Sequence, residues 1–161
     1  MPVTDALLWV HGTPPATSAA FLTAGSAYSA TEIDFGAPAA GTSTPYLPEF
    51  PSLTERGYTT PAETFFGNVE FGLHFVVGVA FDTLTSIVLS AVSDTTTNAT
   101  TAIASRTLTL AQMAVAGAHY FVPVQQSAVK EFLRAYGAIT GSNNVSGTCQ
   151  MWFGPRTGGE L

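Results

Sequence analysis

Asn68-Val69-Glu70-Phe71-Gly72-Leu73-His74-Phe75-Val76-Val77-Gly78-Val79-Ala80 is the stretch on which the fold turns. Phe71, Leu73, Phe75, Val77 and Val79 fall on one face, and Glu70, Gly72, His74, Val76 and Gly78 on the other. A period of two sustained over ten residues places successive side chains on opposite sides of a strand and does not suit a helix. On its C-terminal side, Leu84–Val92 (LTSIVLSAV) predicts a second strand with Thr85, Ile87, Leu89 and Ala91 inward, followed by a polar loop over Ser93–Asn98. Arg106–Leu110 and Ala118–Val124 predict shorter strands, and Pro123, which has no amide hydrogen for a ladder, puts the latter at an edge or a strand end. Val145–Phe153 predicts a last strand with Val145, Gly147, Cys149, Met151 and Phe153 on one face. On the N-terminal side, Thr31–Gly36 alternates Ile33 and Phe35 against Glu32 and Asp34, and Ala6–Val10 predicts a terminal strand or arm.

Ser127–Gly137 supports two readings. Val129, Phe132, Leu133 and Tyr136 lie at helical spacing with Ser127 as a cap. As a strand, Phe132, Arg134 and Tyr136 share a face opposite Leu133, Ala135 and Gly137. Seven or eight short strands with Gly, Pro and Asn punctuation predict an all-β fold, an antiparallel sandwich or jelly roll, as one domain over 1–161. Ala37–Gly67 is a long Pro-rich loop insertion with five of the ten prolines: Pro38, Pro45, Pro48, Pro51 and Pro61. It blocks helix and central strand alike, yet carries Tyr46, Phe50, Tyr58, Phe65 and Phe66. Such a segment is expected to lie extended against its own domain or a neighbour. With Trp9, these five aromatics are the candidate partner-interface residues.

The 161 residues carry 5 Lys and Arg against 11 Asp and Glu, a net charge of −6. This balance excludes nucleic acid as a partner, since displacing phosphate counterions takes clustered cations, and it excludes polybasic contact with anionic lipid. No apolar run reaches the length of a membrane span, and the first residues lack the basic start of a secretory signal. Cys149 is single, so neither an internal disulfide nor a thiolate metal cluster is expected. Area scaling gives a folded surface of roughly 7,600 Å², so the 16 charges are spaced about one per 480 Å², against about one per 190 Å² in an ordinary domain. Wide neutral surface either relies on hydroxyls for solubility or is covered by other subunits.

No chemical constellation emerges along the chain. A hydrolytic triad needs a nucleophile, a histidine base and a carboxylate. Neither a G-x-S-x-G elbow nor any spacing that gathers His11, His74 and His119 is present, and the plain expectation for these histidines is surface or loop. Glu63, Glu70 and Glu131 have nothing to fix their separation for glycoside hydrolysis. Asp82 and Asp94 bracket a strand without forming a metal loop, and Gly158-Gly159 suggests a frayed end, so no metal, cofactor or catalytic residue is assigned.

The order of Phe75–Leu84 (FVVGVAFDTL), Ile87–Leu108 (IVLSAVSDTTTNATTAIASRTL), Thr109–Val124 (TLAQMAVAGAHYFVPV) and Lys130–Phe153 (KEFLRAYGAITGSNNVSGTCQMWF) resembles the jelly-roll capsid cement, or decoration, proteins of tailed bacteriophages. The likeness lies in Ala116–Val124, in Lys130–Arg134 and, nearer the start, in Asp5–Leu8 and Ile33–Gly36. It covers about residues 1–36 and 71–153; Ala37–Gly67 and Gly154–Leu161 have no counterpart. The resemblance tips Phe132–Tyr136 to strand. It implies a non-enzymatic homotrimer on the outer capsid surface of the virion, bridging subunits of the major capsid protein. The alternative from a different class is a carbohydrate-binding jelly-roll module of a phage fibre or lectin-like protein, for which Trp9 and Trp152 would have to stack on sugar. A small hydrolase would depend on His74 or Glu70.

Overall fold

In the computed structural model, which describes residues 9–12, 18–34, 70–125 and 128–161, the strand Phe71–Val79 (β5) lies inside an antiparallel sheet. Its neighbours are Thr148–Pro155 (β10) on one side and His119–Val124 (β8) on the other. The far edge of β10 pairs with Trp9–His11 (β1) and Ala19–Ala20 (β2), so this first sheet runs β1-β10-β5-β8 with β2 beside β1. The second sheet centres on Leu84–Asp94 (β6), flanked by Ala102–Thr109 (β7) and Phe132–Gly141 (β9). Ala27–Tyr28 (β3) and Ile33–Asp34 (β4) both pair with the outer edge of β9. A four-residue helix, Leu110–Met113 (α1), follows β7.

The two sheets pack face to face, as an all-β sandwich, around the alternating residues of their inner faces. Phe71, Leu73, Phe75 and Val77 of β5, Tyr120 and Val122 of β8, and Cys149, Met151 and Phe153 of β10 belong to the same core as Ile87, Leu89 and Ala91 of β6, Leu108 of β7, and Leu133 and Ala135 of β9. Phe71 and Phe153 stack with centroids 6.0 Å apart. Each Val, Leu, Ile, Phe or Met among them contributes roughly 1.5–3 kcal/mol by leaving water, so the alternation that defines the strands also supplies the main stabilising term.

Three expectations about facing are corrected. Thr85 is exposed instead of inward, because the β6–β9 register shifts between Leu84 and Ser86 and lets Leu84 and Ile87 both reach the core. Val79 is half exposed, beside the register shift at Thr148 and Cys149 of the partner strand. Val145 is 72% exposed and belongs to the turn before β10. Phe132–Gly141 is a strand throughout, with Leu133, Ala135 and Gly137 buried; Phe21 and Leu22 cross directly over Gly137 and leave no room for a side chain there. Pro123 lies on β8, the outermost strand of its sheet, where its missing amide costs no ladder bond. Ala37–Gly67 lies outside the described residues.

The acidic residues of the loops are fasteners. Glu32, between β3 and β4, accepts the amides of Asn98 at 2.9 Å and Ala99 at 2.7 Å and the Thr97 hydroxyl at 3.1 Å. Arg134 closes the set, with its Nε 3.6 Å from Glu32 and donating to the Ala99 carbonyl at 2.7 Å. These bonds hold Asn98 at φ +63°, in the left-handed region. Glu32→Ala is expected to lower stability by about 1–2 kcal/mol, read as a lower urea midpoint at unchanged slope; an unmoved midpoint contradicts the fastening role.

Candidate functional site

On the outer face of the first sheet, the residues between the core positions form a row of rings across β1, β10, β5 and β8. Register places Trp9 of β1 opposite Trp152 of β10, Trp152 opposite His74 of β5, and His74 opposite Phe121 of β8. Trp9 and Trp152 lie 4.7 Å apart, Trp152 and His74 stack at 4.9 Å with an interplanar angle of 3°, and Phe121 meets His74 edge-on at 4.9 Å. His119, two residues before Phe121 and therefore on the same face, brings Nε2 to 2.9 Å from His74 Nδ1. His74 is fully buried.

Residues 156–161 fold back over this row. Arg156 donates its amide to the Glu70 carbonyl at 2.8 Å, and the Leu161 amide donates to the His119 carbonyl at 2.8 Å. The Arg106 guanidinium reaches the carbonyls of Leu161 at 2.6 Å and Phe121 at 3.1 Å. Between these anchors Glu160 turns a fully buried carboxylate inward, with Oε1 3.4 Å from His74 Nδ1. The amide and hydroxyl of Thr157 donate to Oε1 and the amide of Gly158 donates to Oε2, all at 2.7–2.8 Å. The expectation of fraying at Gly158-Gly159 is therefore corrected: short-range hydrogen bonds and the buried acid pin the segment.

Protonation follows from these contacts. Burial, and then the neighbouring His119, push His74 down to about 4; burial also lowers His119, opposed by the Glu160 charge. Burial works to raise Glu160, but the donors from Thr157, its own amide and Gly158 outweigh it and hold the acid at about 2. Both imidazoles are neutral and the carboxylate ionised at neutral pH. His74 Nε2 lies 3.0 Å from the Pro155 carbonyl, which only accepts, so Nε2 carries the hydrogen and the Nδ1 lone pair accepts from His119 Nε2, with Glu160 Oε1 beside it.

The structure thus gathers His74, His119 and Glu160, whose ligand atoms lie within 4.8 Å of one another. Sequence reasoning missed this constellation. His74 and His11 are buried, against the expectation of surface or loop. Glu70 is exposed and pairs with Arg156 at 3.2 Å. Among the interface candidates, Trp9 is half-buried against Trp152 and its indole nitrogen finds no hydrogen-bond acceptor among the described residues. Tyr46, Phe50, Tyr58, Phe65 and Phe66 lie outside the described residues. Trp152 lies between Trp9 and the stacked His74 ring, and Trp9 meets it at a tilt of 38°.

A second surface has the opposite character. The outer face of the second sheet carries three cross-strand rows: Thr109–Ser86–Thr140, Thr107–Val88–Ala138 and Ser105–Ser90–Tyr136–Tyr28. None of these ten side chains is charged, and Val88 and Tyr28 are each 37% exposed. The next row begins the charged rim, where Arg134 pairs with Val92 and sets its guanidinium 3.8 Å from the Tyr28 ring centroid. Comparison of the chain with protein-family models, curated proteins and solved structures finds no match. Among the described residues no helix is long and apolar enough to cross a membrane.

Proposed function

We propose that this chain is a non-enzymatic virion structural protein, a cement or decoration protein that sits as a homotrimer on the outer surface of a tailed-phage capsid and bridges subunits of the major capsid protein. The observation that carries the reading is the patch of three uncharged rows on the outer face of β3-β9-β6-β7, bordered by Arg134. With strands about 4.8 Å apart and residues of one face about 6.7 Å apart, these ten positions cover about 320 Å². That is about two-fifths of one side of a standard interface, which buries roughly 800 Å² per partner. One such contact is weak. Three linked in a trimer act together through effective concentration, and a ligand that binds only the assembled shell opposes its disassembly by mass action.

Strand order also supports the jelly-roll reading. With β1 and β2 sharing one edge of β10, and β3 and β4 sharing one edge of β9, the described residues fill eight strand positions in two sheets of four, the content of a jelly roll. Light scattering on the full chain is expected to give about three times 16.8 kDa. The double variant Val88→Glu, Ala138→Glu should keep its far-UV spectrum and lose co-sedimentation with capsids stripped of their decoration. A wild-type chain that stays monomeric and remains in the supernatant overturns the reading. A double variant that sediments like wild type removes the role given to this face.

A further inference from the structure

We propose that His74, His119 and Glu160 bind one divalent cation of the zinc class, which locks residues 156–161 onto the outer face of the first sheet. The site is independent of the cement reading.

Two imidazole nitrogens and one carboxylate oxygen form a donor set that suits zinc, with the remaining position left to water. Spacing agrees with chemistry. Ligand atoms around a tetrahedral zinc, each about 2.0–2.1 Å from the metal, stand about 3.3 Å from one another. Here His74 Nδ1 lies 2.9 Å from His119 Nε2 and 3.4 Å from Glu160 Oε1, and all three ligand atoms lie within 4.8 Å of one another, so two spacings already suit the metal and the third has to close by at most about 1.5 Å. The His74 ring is already aimed, because donation from Nε2 to the Pro155 carbonyl leaves Nδ1 as the ligand atom, and such an outer partner is what orients metal-bound histidines. The stack on Trp152 and the edge of Phe121 hold the same ring in place. Donors from Thr157 and Gly158 hold the carboxylate in the same way.

Without a cation, the His74 Nδ1 lone pair accepts the hydrogen on His119 Nε2 at 2.9 Å, and Glu160 Oε1 lies 3.4 Å from the same nitrogen, with the His74 and Glu160 side chains both fully buried. Among the described residues, Arg156 sets its Nε 3.9 Å from Glu160 Oε2, the other oxygen. A cation held by Nδ1 and Oε1 takes the place of that hydrogen and gives the inner carboxylate oxygen a positive partner. His119 joins by moving its proton from Nε2 to Nδ1, so the two imidazoles stay neutral and no proton need be released.

Because the ligands come from β5, β8 and residues 156–161, the site exists only in the folded chain, and binding energy becomes folding energy. Full-length protein dialysed against EDTA and titrated with Zn²⁺ is expected to bind one equivalent. At about 100-fold over Kd the melting temperature should rise by about 5–10 °C. Co²⁺ should give the visible d–d bands of a tetrahedral centre. Glu160→Gln and His119→Gln should each weaken Zn²⁺ binding by about 100-fold or more, whereas His11→Gln should bind as wild type does. Nitrogen-15 spectra of the wild-type protein keep the assignment testable if a variant fails to fold: Zn²⁺ should shift His74 Nδ1 and His119 Nε2. Absence of saturable binding, retention of affinity in both Gln variants, or metal-induced shifts confined to His11 would each overturn the site.

Discussion

Gly72→Ala is expected to lower stability by about 3 kcal/mol and the melting temperature by about 6–12 °C. Gly72 lies on the outer face of β5, two residues before His74, and a methyl group there would run into the Val122 carbonyl oxygen of β8 and come within 2.5 and 2.8 Å of two Phe121 ring carbons. The carbonyl belongs to the ladder that pairs β5 with β8 and has no rotamer to escape by. Phe121 is 3% exposed, packs edge-on against His74 and carries the Arg156 guanidinium 5.5 Å from its ring centroid. In an open strand the same change would gain roughly 0.5–1 kcal/mol from the lower chain entropy of alanine. At Gly72 the clash outweighs that gain. Gly159, whose added methyl would meet nothing within 4 Å, provides the contrast, and Gly159→Ala should stay within about 0.5 kcal/mol of wild type. Thermal melts followed by circular dichroism separate the two, and equal melting temperatures would show that β8 has room to withdraw.

Why Gly72 is glycine could not be read from the sequence, and the same limit governs the rest of the fold. The long strands were legible because their information is local: the alternation in Phe71–Val79 and Cys149–Phe153 survives any neighbour, and Pro123 marks an edge by what it lacks. Facing failed at Thr85 and Val79, where a register shift depends on the partner strand. Two of the short elements gave no signal. β2 and β3 are two-residue ladders within a run of Ala, Ser and Thr, and they form because β10 and β9 present open edges to them. The helical stripe at Val129–Tyr136 was a real pattern that lost to ten cross-strand pairs with β6, a non-local term of a kind that outweighs local propensity.

The candidate site was illegible for a related reason. His74, His119 and Glu160 are separated by 45 and 41 residues, so no spacing rule links them. Register brings the two strands together, and the fold-back of residues 156–161 brings the acid. One clue was present: beyond Glu70 at its start, the outer face of this strand reads Gly72, His74, Val76 and Gly78, and a histidine among glycine and valine calls for a partner. The neutral face of the second sheet was legible in composition alone, since so few charges had to leave some surface bare; where it lies required the register of β6.

Asn144→Ala is expected to cost about 3 kcal/mol through a mechanism unlike that at Gly72, the loss of polar partners in place of a steric clash. Asn144 is 2% exposed in the loop between β9 and β10. Its Nδ2 donates to the carbonyls of Phe21 and Gly147, both at 2.8 Å, and its Oδ1 accepts the Gly147 amide at 2.9 Å. Alanine strips these buried backbone groups of partners, at about 1–3 kcal/mol each where water cannot reach them. Two strained residues hang on the same loop. Leu22, at φ +65°, accepts the Asn144 amide at 3.2 Å, and Thr83, at φ +63°, donates its hydroxyl to the Asn143 carbonyl. Side chains larger than glycine hold such a backbone only when the surroundings over-determine it, at about 1–3 kcal/mol apiece. Loosening the loop lets both relax, which offsets part of the loss and keeps the net near 3 kcal/mol, about 6–12 °C in melting temperature. Asn144→Asp distinguishes the hydrogen bonds from the volume. It keeps the shape but turns a carboxylate oxygen toward the two carbonyls, so at pH 7 it should be at least as damaging as alanine and should recover as the acid is protonated. An aspartate variant that melts with wild type at pH 7 would mean that water, not Asn144, satisfies these carbonyls.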